Sequence, residues 1–213
     1  MNFTLLEHPL LQDRLSRLRD HRTPPVQFVE HLHQISLLLA MEATRSLPTQ
    51  TVEVETPLEI TSCKQLSRSL VLIPILRAGL GMLSGFHALV PEARVGHLGI
   101  IRDEETLEAH VYLEKLPNHL DQGIVFVLDP MLATGHSSAT AVARLKNAGA
   151  KKIYFICCLA APEGVEYLAK MHPDVKILSA SLDRQLDPRG YILPGLGDAG
   201  DRQFGTNIHS GPV

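Results

Sequence analysis

Five short apolar runs punctuate the chain: "SLVLIPI" (69–75), "ARVGHLGI" (93–100), "GIVFVLD" (123–129), "KKIYFICCLA" (151–160) and "DVKILSA" (174–180). Several are continuously apolar and rich in Val and Ile, the pattern of parallel strands covered on both faces. Between them, apolar positions recur at helical spacing. "AGLGMLSGFHALV" follows the first run. "SSATAVARLKNAG" follows the third and meets a stop at Gly149. "PEGVEYLAKMH" follows the fourth, with Pro162 in its first turn. Strand–helix alternation of this kind predicts a doubly wound α/β sheet. The flanks differ. "PPVQFVEHLHQISLLLAMEATRSL" reads as an amphipathic helix after a double proline, and "DPRGYILPGLGDAGDRQFGTNIHSG" is rich in Gly, Pro and Asp. That tail is too rich in Gly for a packed helix. It reads either as a disordered end or as a structured loop that wraps a ligand, and its mixing of Tyr191, Ile192, Leu193, Leu196 and Phe204 with turn formers favours the second.

The 213 residues suit a single domain spanning 1–213 and suffice for a core without disulfides or metal. A net charge of −3 gives no general attraction to nucleic acid or anionic membrane. The start "MNFTLLEHPLLQDRL" lacks the apolar core of a signal peptide, and no apolar run approaches the roughly 20 residues that span a bilayer. Three Cys without metal spacing fit reduced, buried thiols in a cytoplasmic protein. Cys157 and Cys158 are adjacent on a strand and should face opposite layers.

Ligands of open α/β sheets sit at the carboxyl ends of the strands, and three suspicious segments lie there. The first is "LDPMLATGHSS" (128–138). Its strand closes on Asp129, and Ser137 or a neighbour is placed to cap the next helix. The N–H groups at that helix start form an anion site. Gly135 admits a phosphate close to the backbone, and Thr134, Ser137 and Ser138 add hydroxyls. Asp129 disfavours a bare phosphate but suits sugar hydroxyls, so the loop fits a ribose 5-phosphate, or else an ordinary capped turn. The second segment, "PILRAGLGMLSG" (74–85), carries Gly79, Gly81 and Gly85. These raise a dinucleotide loop, but no clean strand-end acid follows at the expected distance. Tight helix–strand packing accounts for the glycines, and Arg77 is left for a second anion. In the third, "IRDEETL" (101–107), Arg102 is placed to reach a phosphate from the neighbouring strand end. His31 and His33, at i and i+2 of a helix, do not share a face and do not make a metal pair.

"LDPMLATGHSS" resembles the phosphoribosyl pyrophosphate (PRPP) loop of type I phosphoribosyltransferases. "GYILPGLGDAGDRQFGT" resembles the uracil-recognition segment of the uracil phosphoribosyltransferase family. "PILRAGLGM", "RDEETLE", "LAAPEG", "HPDVKILSASLD" and "EHPLLQDRLSRLRD" are also similar to that family, so the resemblance covers nearly the whole chain. It implies a mostly parallel central sheet flanked by helices, with a small hood formed from the terminal segments. It implies conversion of uracil and PRPP to UMP and diphosphate in pyrimidine salvage. PRPP would meet Asp129, Pro130, Met131, Leu132, Ala133, Thr134, Gly135, His136 and Ser137, together with Arg77, Arg102 and Asp198. Uracil would meet Ile192, Gly197, Asp198 and Ala199. Asp198, Arg77 and Arg102 would carry the chemistry. Mg2+ would be held by PRPP and water rather than by protein ligands. The resemblance further implies a homodimer or larger homo-oligomer, and some members respond to GTP.

Two positions depart from the family pattern. His136 stands where uracil enzymes commonly carry Gly, and Ile101 stands where members often carry Tyr. They motivate one alternative, a catalytically degenerate homologue that binds ligand without turnover. A pyrimidine-responsive RNA-binding regulator of the same fold is the other, and the absence of a clustered basic stripe argues against it.

Overall fold

The computed structural model describes residues 2–102 and 109–206. A nine-stranded sheet forms its centre, with seven strands in the order β1-β11-β10-β8-β4-β6-β7. These are β1 (Phe3–Leu5), β4 (Leu70–Leu76), β6 (His97–Arg102), β7 (Ala109–Lys115), β8 (Ile124–Leu128), β10 (Ile153–Ala160) and β11 (Lys176–Leu182). Two short strands complete the sheet. β5 (Arg94–Val95) pairs with β4, and β9 (Met131–Leu132) pairs with β10. The pairings within the path are parallel except β6 with β7. All five predicted runs are strands. The second is split at Gly96, whose N–H turns to the Leu72 carbonyl at 3.0 Å.

Helices cover both faces, as continuously apolar strands require. On one face lie α1 (Pro9–Arg19), α2 (Pro25–Thr44) and α3 (Leu80–Leu89). Their Leu11, Leu32, Leu39 and Phe86 pack on Leu72, Phe126 and Ile156. On the other face, α4 (His136–Asn147) and α5 (Pro162–Met171) bring Val142, Leu145 and Leu168 onto Ile73, Val127 and Phe155. Alternation along β10 divides the two cysteines as anticipated: Cys158 joins the first cluster and Cys157 the second. Gly149 ends α4 at φ +96°, the left-handed conformation that glycine tolerates best.

The terminal segments meet over the carboxyl ends of the strands. Chain beyond β11 forms a hairpin of β12 (Gln185–Leu186) and β13 (Ile192–Leu193), then α6 (Ala199–Phe204). The short helix corrects the expectation of a helix-free tail. Asp198 caps it by accepting the Asp201 N–H at 2.8 Å, and Ala199, Gly200 and Gln203 are buried. Small residues allow the close approach, and tertiary contacts outweigh the low helix propensity of Gly. A separate antiparallel pair, β2 (Thr49–Glu55) with β3 (Ile60–Leu66), lies off the main sheet and was not anticipated.

Candidate functional site

β8 delivers Asp129 to the end of the sheet. Its N–H is spent on the Ile156 carbonyl at 3.1 Å, and its Oδ1 accepts from Met131 N–H at 3.2 Å. Burial pushes the Asp129 carboxyl up to about 7, opposed by the Met131 N–H and assisted by the negative charge of Asp198. Loop and tail also share packing: Met131 and Ala133 lie against the buried cluster that includes Ile192, Leu196 and Ala199.

Pro130, Met131 and Leu132 hold the loop to the sheet. The Pro130 carbonyl accepts from Cys158 and Leu159 N–H at 3.0 Å each, and the Leu132 carbonyl accepts from Ala161 N–H at 2.9 Å. These carbonyls are committed to β10 and its continuation. Ala133, Thr134 and Gly135 then turn into α4. Gly135 sits at φ +83°, and a Cβ there would lie 2.9 Å from the Gly164 carbonyl. Glycine is therefore required both for the backbone angle and for the space. The structure corrects the expectation that Ser137 or a neighbour caps α4. Gly135 is the cap position, and no side chain among the described residues caps it. The first-turn N–H groups, including those of His136 and Ser137, consequently lack intrahelical acceptors and remain available to an anion.

His136 opens the helix, turned toward α5. Its ring meets Tyr167 edge-on at 4.5 Å between centroids. Its Nδ1 is buried without a hydrogen-bond partner among the described residues.

Arg77 follows β4 and projects across the site to the tail. Its guanidinium donates to Asp201 at 3.0 Å and to Thr206 at 3.4 Å. Thr206 in turn donates to Asp201 at 2.6 Å. The three glycines after Arg77 serve packing. A Cβ on Gly79 would strike the main chain of Ile75 and Leu128, one on Gly81 would meet Leu32 and Gln203, and one on Gly85 would meet α2. These close contacts replace the dinucleotide reading. Arg102 ends β6, paired with Ala109 across the hairpin. Its side chain, and residues 103–107 of the charged segment, lie outside what is described.

The tail supplies the remaining wall. Ile192 is buried, Gly197 and Asp198 are exposed, and Ala199 is buried at the start of α6. Gly195 and Gly197 adopt φ +63° and +80°. The structure thus brings a helix start with free N–H groups, Asp129, Asp198, Arg77 and a Gly-rich backbone to one end of the sheet.

A family model described as uracil phosphoribosyltransferase matches residues 5–206. The chain belongs to the uracil phosphoribosyltransferase family. It is 54% identical over 205 residues to the uracil phosphoribosyltransferase of Streptococcus salivarius, covering 96% of this chain and 98% of that one. The protein of that name from Streptococcus mutans is 51% identical over the same coverage. A solved structure from Aquifex aeolicus superposes with a TM-score of 0.91 at 37% identity, covering 95% of this chain and 97% of that chain. A hypoxanthine-guanine phosphoribosyltransferase from Bacillus anthracis aligns at a TM-score of 0.51 and 12% identity. It covers 75% of this chain and 80% of that one, a likeness of fold alone.

Membership in the uracil phosphoribosyltransferase family agrees with both stretches that carried the resemblance. Sequence reasoning passed over residues that shape this site from behind: Arg19, Asp183, Asp201, Arg202 and Gln203. All five fell within quoted motifs, but their long-range contacts had no local signal. Gln203 donates to the carbonyls of Ala78 and Ala199 at 2.9 and 3.0 Å, tying the Arg77 loop to α6.

Proposed function

We propose that this chain transfers the phosphoribosyl group of PRPP to uracil, releasing diphosphate and forming UMP. The carrying observation is the convergence of the Asp129–Ser137 loop and the Ile192–Ala199 tail: Met131 and Ala133 pack against the buried cluster that holds Ile192, Leu196 and Ala199, and Gly79, beside the Ala78 carbonyl that Gln203 of α6 binds, abuts the Leu128 carbonyl. The 5-phosphate lies on the free N–H groups at the start of α4. Asp129 accepts hydrogen bonds from the ribose hydroxyls. Uracil lies against Ile192 and the backbone of Gly197, Asp198 and Ala199.

In the reaction a bond forms from N1 of uracil to the anomeric carbon as the bond to the pyrophosphate oxygen breaks. The N1 proton leaves, and diphosphate departs with the bonding electrons. Positive charge grows on the sugar, close to the two carboxylates, and negative charge grows on the leaving group, close to Arg77. Preorganised charges of this kind stabilise a transition state without reorganisation. Alignment of N1 with the anomeric carbon supplies a further large part, roughly 7–11 kcal/mol for well-oriented reactants. Arg102 joins the pyrophosphate side by its place at the end of β6. Asp198 orients the base and is the nearest group to receive the proton.

Mg2+ fits this site as a companion of PRPP. Asp129 and Asp198 would offer the oxygen chemistry that a hard cation and its waters prefer. When bound, the ion neutralises charge on the departing diphosphate.

Purified protein with uracil, PRPP and Mg2+ should form UMP, whereas hypoxanthine or orotate in place of uracil should not yield nucleotide. No UMP across pH 6–9 would overturn the proposal.

Assembly into a homo-oligomer is part of the same reading. Leu58 and Ile60 on the β2–β3 arm are 95% and 67% exposed, and Val26 on α2 is 82% exposed. A partner copy would cover such side chains, and light scattering should give a mass of two chains or more. A GTP response and residence in the cytoplasm are proposals from the family resemblance. Initial rates with and without GTP test the first, and localisation of a tagged chain tests the second. Among the described residues, no helix is long and apolar enough to cross a membrane.

A further inference from the structure

A Gly-rich tail can recognise a base through its backbone only if that backbone is held still. The described contacts show what holds it. Arg19, the last residue of α1, forks onto Asp183 just beyond β11: Nη1 donates to Oδ2 at 2.7 Å and Nη2 to Oδ1 at 2.5 Å. Nη1 also donates to the Gly195 carbonyl at 2.8 Å, while the Gly195 N–H donates to Asp183 Oδ2 at 2.9 Å. One ion pair therefore binds both main-chain groups of a tail residue. Ser181 closes the network, accepting from Arg19 at 3.1 Å and donating to Asp183 at 2.8 Å.

The Asp183 side chain is 2% exposed. Burial alone would raise its carboxyl, but hydrogen bonds from Arg19, Ser181 and Gly195 outweigh that and hold it below the usual range. A buried pair of this kind is a costly way to gain stability. Its distinctive output is geometry: it fixes Gly195 at φ +63°, midway between Ile192 and Asp198. A second arginine extends the clamp. Arg202 donates to the Leu196 carbonyl at 3.0 Å and to the Leu18 and Asp20 carbonyls at 2.7 and 2.6 Å, and stacks 4.5 Å above the Phe28 ring. The carbonyls of Gly195 and Leu196 are thus both tied to the end of α1.

We propose that the Arg19–Asp183 pair is a positioning device for the base site, setting uracil affinity from behind the Ile192–Ala199 wall. The proposal rests on the uracil reading given above. Arg19 and Asp183 hold the tail and not the substrate, so their removal changes how the backbone meets the base. The PRPP loop hangs from β8 and β10 and is held by other contacts, so it should be spared.

The test is steady-state kinetics of the full chain with Arg19→Gln, Asp183→Asn and Arg19→Lys, alongside amide exchange across 191–199. Arg19→Gln should raise the uracil KM about tenfold or more, as displacement of a positioning element does. The PRPP KM should stay within about twofold, and exchange should quicken at Gly195 and Leu196. Lys keeps the charge but cannot fork across Asp183 and Gly195 together, so it should rescue only part of the loss. An unchanged uracil KM in the folded Gln variant would overturn the proposal. So would an equal rise in both KM values, which marks general loosening. If the Gln variant does not fold, Arg19→Lys decides: a selective rise in uracil KM supports the device, and wild-type values refute it. Wild-type turnover separates the two readings. UMP formation with an unaltered Arg19 variant removes only the positioning role, whereas no UMP from wild type removes both.

Discussion

Asp129→Asn keeps the shape of the side chain and removes its charge. Asn Oδ1 can still accept the Met131 N–H, so the loop should keep its turn. Burial, with the Asp198 charge assisting, raises Asp129 from an ordinary 3.8 to about 7. A rise of roughly three units corresponds to about 4 kcal/mol at ~1.4 kcal/mol per unit. Solvent reaches part of the residue and screens the charge, so about 2–4 kcal/mol is expected. The sign follows from proton binding. Between pH 4 and 7 the folded chain keeps a proton that the unfolded chain has lost. The Asp129 contribution is therefore intact below pH ~4 and falls away as pH rises through about 7. Asn does not titrate. Urea unfolding of both proteins from pH 4.5 to 8 should show the variant gaining on wild type, by ~2–4 kcal/mol at pH 8. UMP synthesis should fall about 100-fold or more, because the ribose hydroxyls lose their charged acceptor. The site would then be one where function is kept at the expense of stability. A variant equal to or less stable than wild type at pH 8, with the same pH slope, would rule out a destabilising charge at Asp129.

Three other outcomes are expected. Asp198→Asn should keep the α6 cap and cost under about 0.5 kcal/mol by thermal melt, since Asn caps about as well as Asp; turnover should fall far more, and equal loss of both would count against a site role. Arg77→Ala should weaken product inhibition by pyrophosphate, read as a higher inhibition constant, and unchanged inhibition would be the contrary result. His136→Gly should remove the edge contact with Tyr167 and lower stability by about 1–2 kcal/mol. Its kcat/KM should stay within about threefold of wild type; a larger fall would give the histidine a role in phosphate binding.

Legibility from the sequence followed the range of the physics involved. The five apolar runs, which become β4, β5 with β6, β8, β10 and β11, and α2 to α5 are written in local pattern, because each buries surface whose spacing repeats along the chain. The split at Gly96 is not, since it depends on the hydrogen bond to Leu72 on the adjacent strand. α6 was masked by glycines whose low propensity is outweighed by the Asp198 cap and by burial against α2 and α3. The missed β2–β3 arm carries mixed polar residues and packs little against the main body, so it has no core-facing stripe to betray it. For the site, Asp129, Gly135 and Arg77 were readable because strand ends, helix starts and glycines have fixed chemical consequences. The composition of the tail marked it as a structured, ligand-wrapping loop, and only family resemblance tied it to a base. Arg19 and Asp183 lie 164 residues apart and meet solely in the fold, which leaves no trace in local pattern.

The proposed function requires one site that spans the Asp129–Ser137 loop and the Ile192–Ala199 tail. A crystal structure with UMP bound tests it most directly. It should place the phosphate on the N–H groups at the start of α4, the ribose hydroxyls against Asp129, and the base beside Ile192 and Gly197–Ala199. Phosphate bound away from α4, or a base that leaves the tail untouched, would contradict it.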